Sequence, residues 1–429
     1  DHLVIYPNSQ QRKHAVNGFG VLENLNIPGV IIDAKSNQVD VMGLQATLYL
    51  NGQECDIREI QMLRPRDIEK IEYHDAPSGK YAKDKLAVNF ITKQYRYGGY
   101  VQADGLQMIG YDHGDYNVAT NYVKGNNSYT VFAGANYSHV DGTETWNNEN
   151  YQFPQSLFDR ESYSRNSYRN HQEYMQFRYQ NQKGKRYWVG KFTLVNLSTP
   201  RNASSGFARE SIETDVLSNI RKKSLSPKID LNANLPLSKN QTLTLGVHGK
   251  YSANSYHRLY QEQPFEAMTD EDEKVLSFQL SAIYNYFSQK HSLSVELFHY
   301  HDVWNADYSG NCELWQHLWK GESLAFFSYN FQASSRLSLK TRIGLDWLQY
   351  HLHGDNSFSQ LSPRINTNVQ YQLNKGMLLW SFNFVNSNHG MDVINRAMIQ
   401  VNSHMMEKGM PELKKSHDIN TYLYYMGRF

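Results

Sequence analysis

Residues 276–286 read Leu276-Ser277-Phe278-Gln279-Leu280-Ser281-Ala282-Ile283-Tyr284-Asn285-Tyr286. Leu276, Phe278, Leu280, Ala282, Tyr284 and Tyr286 take every second place, and Ser277, Gln279, Ser281 and Asn285 fill most of the places between. Successive side chains of a strand point to opposite faces, so one face here suits an apolar medium and the other suits water. The alternation recurs at Leu243, Leu245 and Val247, at Leu337, Leu339, Ile343, Leu345 and Trp347, and at Ile365, Thr367, Val369, Tyr371 and Leu373. A soluble sandwich alternates too, so the period alone does not decide. Length says more. Many of these segments run about 10 to 16 residues, against about 5–6 in soluble proteins and roughly 9–11 for a tilted strand crossing a bilayer.

The connections carry the reading further. Short turns stand at Gly125-Asn126-Asn127, Lys183-Gly184, Ser238-Lys239-Asn240, Ser288-Gln289-Lys290, Ser334-Ser335 and Asn374-Lys375-Gly376. Between them lie longer polar stretches at 141–165, 198–219, 257–273 and 388–416, which read as loops. Tight turns at one end and long loops at the other are the rhythm of an outer-membrane β-barrel. This reading gives about fourteen antiparallel strands in residues 97–429. With the short turns on the periplasmic side, the barrel starts and ends at that rim.

Bulk composition agrees. Charged residues make up 20% of the 429, and mean hydropathy is −0.66. No apolar run approaches the roughly 18 residues of a spanning helix, which excludes a helical membrane protein and leaves a barrel open. Aromatics reach 13%, with 31 Tyr, a residue suited to a membrane interface. A net charge of +1 offers no footprint for nucleic acid. Cys55 and Cys312 read as two incidental thiols. The chain opens at Asp1 without a charged-then-apolar leader, so an export signal is expected to have been removed or to lie outside it.

Residues 1–96 follow other periods and read as a small α/β module. Ala15, Phe19, Leu22 and Leu25 predict a helix over 10–25, after Pro7-Asn8-Ser9 and before Ile27-Pro28-Gly29. Short strands follow at 29–33, 39–42 and 46–50, the last ending at the tight-turn pair Asn51-Gly52. A second helix is predicted over 56–63 from Ile57, Ile60 and Leu63, with strands at 67–73 and 86–92.

An ordered set of motifs in this module resembles the plug domain of TonB-dependent outer-membrane receptors, in the form common in Bacteroides-type bacteria. The motifs are Ile27-Pro28-Gly29-Val30, Leu48-Tyr49-Leu50-Asn51-Gly52, and Leu63-Arg64-Pro65-Arg66-Asp67-Ile68-Glu69-Lys70-Ile71-Glu72-Tyr73. They continue with Asp75-Ala76-Pro77-Ser78-Gly79-Lys80-Tyr81, Ala87-Val88-Asn89-Phe90-Ile91-Thr92-Lys93 and Gly98-Gly99. Within this set Pro28, Gly29, Asn51, Gly52, Glu72, Pro77 and Tyr81 read as structural positions, with Lys70 and Glu72 set to face a barrel wall. Late in the chain, Lys408-Gly409-Met410-Pro411-Glu412-Leu413-Lys414 looks like a segment that the family carries in an outside loop.

The resemblance implies a plug beside or inside a barrel, and import or binding of a ligand driven by an inner-membrane energy-coupling protein. Family barrels have about 22 strands against the roughly fourteen read here, so an incomplete barrel is expected. No coupling motif stands before the first helix. That leaves an alternative class: a non-transporting barrel serving as surface anchor, adhesin or assembly partner of a surface lipoprotein or another outer-membrane protein.

Candidate ligand contacts are the aromatic residues in or near the outer stretches: Trp146, Tyr151, Phe153, Phe158, Tyr163, Tyr256, Tyr260, Trp304, Tyr308 and Trp315. Flat rings stack on sugars or aromatic ligands, and they also form interfacial girdles. His299 with His301, and His351 with His353, each share a strand face, as a metal ligand pair does, but the reading prefers polar-rim histidines and no resident metal. Asp270-Glu271-Asp272-Glu273 reads as a solvated acidic loop, and Arg221-Lys222-Lys223 as a charged rim within reach of lipid or lipopolysaccharide phosphate. No nucleophile, phosphate-loop or metallohydrolase motif occurs, so neither catalysis nor a cofactor is expected.

Overall fold

A computed structural model gives the fold. It describes residues 3–27, 30–33, 38–41, 44–74, 86–93, 95–110, 112–153, 156–355, 357–374, 376–387, 393–412 and 414–427. Pro28, Gly29, Pro77 and Tyr81 lie outside the described residues. The chain divides into two units. The first holds Asp1–Asp104, Asn117–Ala133 and Phe177–Val189; the second holds Gly105–Tyr116, Gly134–Gln176 and Gly190–Phe429.

In the first unit, helix α1 (Ser9–Lys13) is closed by a capping box, in which Asn8 Oδ1 accepts from Gln11 N and Gln11 Oε1 accepts from Asn8 N, both at 2.8 Å. The single helix expected over 10–25 is two. Asn17 caps a second one, α2 (Gly18–Asn24), by accepting from Gly20 N at 3.1 Å. Asn and Gly favour caps over helix interiors, and Gly18 has a further reason. A Cβ there would sit 2.8 Å from Ile60, so the close approach to α3 (Ile57–Gln61) needs glycine.

Eight short strands complete this unit: β1 (Leu3–Ile5), β2 (Val30–Asp33), β3 (Gln38–Val41), β4 (Leu44–Gln45), β5 (Thr47–Leu50), β6 (Gln53–Glu54), β7 (Ile68–His74) and β8 (Ala87–Thr92). Five form a sheet in the order β1-β7-β8-β5-β6, with β5 and β8 parallel. Asn51 (φ 54°) and Gly52 (φ 77°) make the β5–β6 turn, as the sequence predicts. Val21, Leu22, Ile60, Ile68, Ile71, Val88 and Phe90 form the buried core.

A single antiparallel sheet of 14 strands occupies most of the remaining chain. Its members are β9 (Tyr97–Gln107), β10 (Asp112–Lys124), β11 (Asn127–Phe153), β12 (Ser156–Lys183), β13 (Arg186–Arg209), β14 (Glu213–Ser238), β15 (Gln241–Glu262), β16 (Phe265–Phe287), β17 (His291–Gly310), β18 (Leu314–Gln332), β19 (Leu337–Leu352), β20 (Phe358–Leu373) and β21 (Gly376–Ser387). A small hairpin of β22 (Met398–Gln400) and β23 (Met406–Lys408) intervenes before the last member, β24 (Ser416–Gly427), which pairs with β21.

The expected loops at 141–165, 198–219 and 257–273 are hairpin stems instead. The β15–β16 ladder runs unbroken from Gln241 opposite Tyr286 to Glu262 opposite Phe265. The acidic run Asp270–Glu273 therefore sits on a strand. The polar sequence misled because alternation marks a strand only while its two faces meet different media. Backbone pairing continues past that zone, where both faces tolerate polar residues.

Within the second unit the faces are inverted relative to a soluble protein. Leu245, Val247, Leu276, Leu280, Leu297 and Leu345 are exposed, whereas Ser226, Ser252, Glu296, Asp346, Ser362 and Ser381 are buried. On β16 the exposed apolar run spans Leu276 to Tyr286. That is about 33 Å along the strand, or about 23 Å once tilted by roughly 45°, close to the apolar band of a bilayer barrel.

Candidate functional site

In the first unit, functional chemistry gathers where the α/β module meets the inner ends of β9–β12. Glu59 lies on α3, closes that helix's capping box, and is buried. Its Oε2 accepts from Arg178 Nη1 of β12 at 3.2 Å, while Arg178 Nη2 reaches Leu50 O and Gln180 Oε1, each at 3.4 Å. An ion pair out of water costs desolvation of both charges and is lost at a large penalty if one partner is removed. Neither residue stood out in the sequence, because the two lie far apart along it.

Beside this pair opens a cavity of about 460 Å³. Arg64, Asp67, Tyr95, Tyr100, Asn51 and Gln180 are among its lining residues. Arg64 Nε donates to Asp67 Oδ2 at 2.6 Å, Tyr95 Oη donates to Asp67 Oδ1 at 2.9 Å, and the Arg64 guanidinium lies 3.6 Å from the Tyr100 ring centre. Burial, then the bond to Asp67, pushes the Tyr95 phenol above its usual range. The Arg64-Pro65-Arg66-Asp67 motif thus supplies a polar wall. Glu72 takes a bond from Lys70 Nζ at 2.6 Å and one from Asn89 Nδ2 at 2.8 Å, and Asn89 Oδ1 accepts from Gly52 N at 2.8 Å. Lys70 is held above its usual range chiefly by the bond to Glu72.

In the second unit, the described part of 388–416 folds onto the polar face of the sheet. Ile394 and Ala397 join Trp304, Tyr308, Leu318, Leu348, Tyr350 and Leu352 in one buried cluster. Arg396 binds Asp355 through Nε at 2.6 Å, and its backbone N donates to Gln316 Oε1 at 2.7 Å. Arg258 bonds the carbonyls of Gln400 and Val401. Pro411 O accepts from Tyr350 Oη at 3.0 Å, which ties down the Lys408–Lys414 motif. Deeper on this face Asp346 meets Lys415 Nζ at 2.5 Å and Arg364 Nη2 at 2.6 Å, and Glu296 meets Arg342 Nη2 at 2.7 Å.

A second polar group stands toward the outer end, beyond the apolar run. Arg160 Nη1 lies 2.8 Å from both Glu210 Oε1 and Glu262 Oε1. Tyr260 Oη and Ser403 Oγ donate to Glu262 Oε2 at 2.8 and 3.0 Å, and His404 Nε2 lies 2.6 Å from Glu210. Burial alone would raise the Glu262 pKa, but the bonds from Arg160, Tyr260 and Ser403 outweigh it and hold the carboxyl below its usual range. Burial and the bond to Glu262 push the Tyr260 phenol up.

The aromatic candidates separate into two groups. Tyr260, Trp304 and Tyr308 are buried on the inner face. Trp304 Nε1 donates to Glu273 at 2.5 Å and Tyr308 Oη to Glu271 at 2.8 Å, so these rings support the floor. Tyr256 stacks with Lys222, whose Nζ is 5.3 Å from the ring centre. Trp146 and Tyr163 pack at 4.6 Å with Phe207 nearby, Trp146 remaining 61% exposed, and Tyr151 meets His404 at 5.7 Å. The side chains of Phe153 and Phe158 lie outside the described set.

His299 and His301 sit on the exposed face with ring centres 6.0 Å apart, His299 bonding Ser323 and His301 stacking on Phe278 and Trp319. His351 bonds Ser357, and His353 meets the edge of Trp315. Among the described residues no group of three or more His, Cys, Asp and Glu is placed to hold a metal ion, and neither Cys55 nor Cys312 forms a disulfide.

No family model and no curated protein matches the sequence. Solved structures do. The copper transporter OprC aligns over 100% of this chain and 69% of its own, at 12% identity and a TM-score of 0.53. The ferric yersiniabactin uptake receptor FyuA from Yersinia pestis aligns over 99% and 89% at 9% identity and a TM-score of 0.36. The ferric citrate transporter FecA aligns over 99% and 88% at 8% identity and 0.34. The fold assignment rests on the first of these together with the sheet described above. The chain has the fold of the TonB-dependent outer-membrane receptors, a small α/β unit followed by a long-stranded β-barrel sheet.

Proposed function

We propose that this chain is an outer-membrane receptor that binds a solute at its outer end and admits it in dependence on an inner-membrane coupling protein. The observation that carries the reading is in the first unit. The α/β module is fastened to a strand of the large sheet through the buried Glu59–Arg178 pair, next to a polar cavity of about 460 Å³. A fastening of this kind can hold a module shut and release it when force is applied, since separating a buried pair costs several kcal/mol. The inward-folded segment 393–412 supplies a floor beneath the outer rings, which suits retention of a ligand there.

One of the overlapping solved structures is a copper transporter, so copper is the first solute to test, followed by siderophores, haem, vitamins and sugars. The purified chain is titrated with each, and uptake is measured in cells with and without the coupling protein. Tight binding of one solute class, with uptake lost when the coupling protein is removed, is the expected result. Absence of binding to any class, with stoichiometric copurification of another surface protein and uptake unchanged on deletion, overturns the proposal in favour of an anchor or assembly role.

A further inference from the structure

Four cations line the cavity of about 460 Å³ in the first unit: Arg64, Arg66, Lys93 and Arg178. Two anions, Glu59 and Asp67, line it with them. Both carboxylates are already engaged. Glu59 is held by Arg178 at 3.2 Å, and Asp67 accepts from Arg64 and Tyr95 at 2.6 and 2.9 Å. The positive charges left over are those of Arg66 and Lys93. Both residues are exposed, and neither side chain makes an ion pair or a hydrogen bond among the described residues.

Backbone pairing brings these two cations together. Lys93 N donates to Asp67 O at 2.8 Å, and Arg66 directly precedes Asp67. The neutral groups of the wall are largely satisfied by one another. Asn51 exchanges bonds with Thr92, Asn121 donates to Ser128 and Thr130, and Gln180 donates to Gln182 at 2.7 Å. A neutral polyol would have to displace these bonds. An anion meets free N–H groups, one set in the planar fork of Arg66 and one on the Lys93 ammonium.

From this we infer that the cavity binds a small organic polyanion, a solute carrying two or more carboxylates. One carboxylate lies on the Arg66 guanidinium, whose fork matches its two oxygens, and a second lies on the Lys93 ammonium. The volume is within the about 300–1,000 Å³ of small-molecule sites and far above what one inorganic ion fills, so it leaves room for the carbon skeleton that joins the carboxylates. The inference concerns binding alone and stands or falls independently of uptake and of the coupling protein.

The test is isothermal titration calorimetry of the purified full chain in detergent, with citrate as the probe. A single saturable binding event is expected, weakening as sodium chloride is raised. Arg66→Gln or Lys93→Gln should weaken it about fivefold each, and the two together about twenty-fivefold, the scale of exposed charge pairs. Arg221→Gln/Lys223→Gln, in the other cationic stretch, should leave it unchanged, and glucose should not bind. Arg66 and Lys93 have no partners to lose, so the double variant should melt at the temperature of the unaltered chain. If it melts lower, the two single variants carry the test. Absence of citrate binding overturns the inference, and so does citrate binding that survives both substitutions. Inorganic phosphate is the last arm. If it binds as tightly as citrate does, the carbon skeleton contributes nothing and the organic assignment falls.

Discussion

The first unit and the large sheet solve the same burial problem in opposite ways. In the α/β unit Val21, Ile60, Ile68, Ile71, Val88 and Phe90 are withdrawn from the surface, as in any small soluble domain. In the second unit Leu276, Leu280, Leu345 and Leu423 are exposed, and Glu296, Asp346 and Lys415 are buried. The chain is one polymer under one chemistry, so the difference lies in the medium each region meets. The first module packs as a domain built for water does, with its apolar groups turned inward. Lipid meets the exposed face of the sheet, so apolar groups turn outward and charges collect on the other side, where they pair.

That contrast can be broken most forcefully at Asp346. Asp346→Ala leaves the buried Lys415 and the partly buried Arg364 with only Glu322, 3.7 Å from each, as a shared anion, and a loss of about 3 kcal/mol is expected from urea unfolding in detergent micelles. A loss below about 1 kcal/mol would mean that water already reaches the inner face. A comparable effect is expected on the opposite face. Leu280→Arg should cost about 2–4 kcal/mol when the protein is refolded into lipid vesicles. No cost there would show that the exposed leucines face water, and the barrel assignment would fail.

The mildest test sharpens the comparison at the outer end, where the segment bearing Ser403 docks. The folded Glu262 carboxyl titrates below its usual 4.5. A depressed carboxyl contributes stability that is present above the unfolded value and lost as pH falls through the folded one. Protease protection of residues 398–408 should therefore hold at neutral pH and decline once the pH drops below about 4.5. Glu262→Gln should remove that acid step, and an acid step of the same size in the variant would exclude Glu262 as its origin.

Much of the fold was legible from residue order. Leu276 to Tyr286 announced a strand with one apolar face, and the six short turns mark hairpin ends of the sheet. Asn51-Gly52 announced the β5–β6 turn because only residues tolerant of positive φ fit it. The outer stretches were misread as loops, since a wet hairpin stem carries no alternation. The sequence over 10–25 reads as one helix because Ala15 and Phe19 keep helical spacing across the break at Asn17-Gly18. The site was far less legible. Glu59 with Arg178, and Asp346 with Lys415, are neighbours only through the path of the sheet. Trp304 and Tyr308 were recognised as notable rings, but which way they pointed depended on strand parity.

Sequence by itself determined the medium of each face and the order of the pieces, because solvation acts on each side chain locally and periodicity records it. Tertiary structure alone decided which charges pair and which rings are buried under the segment 393–412. Those outcomes depend on register between strands, and register is set by the pairing of the whole sheet.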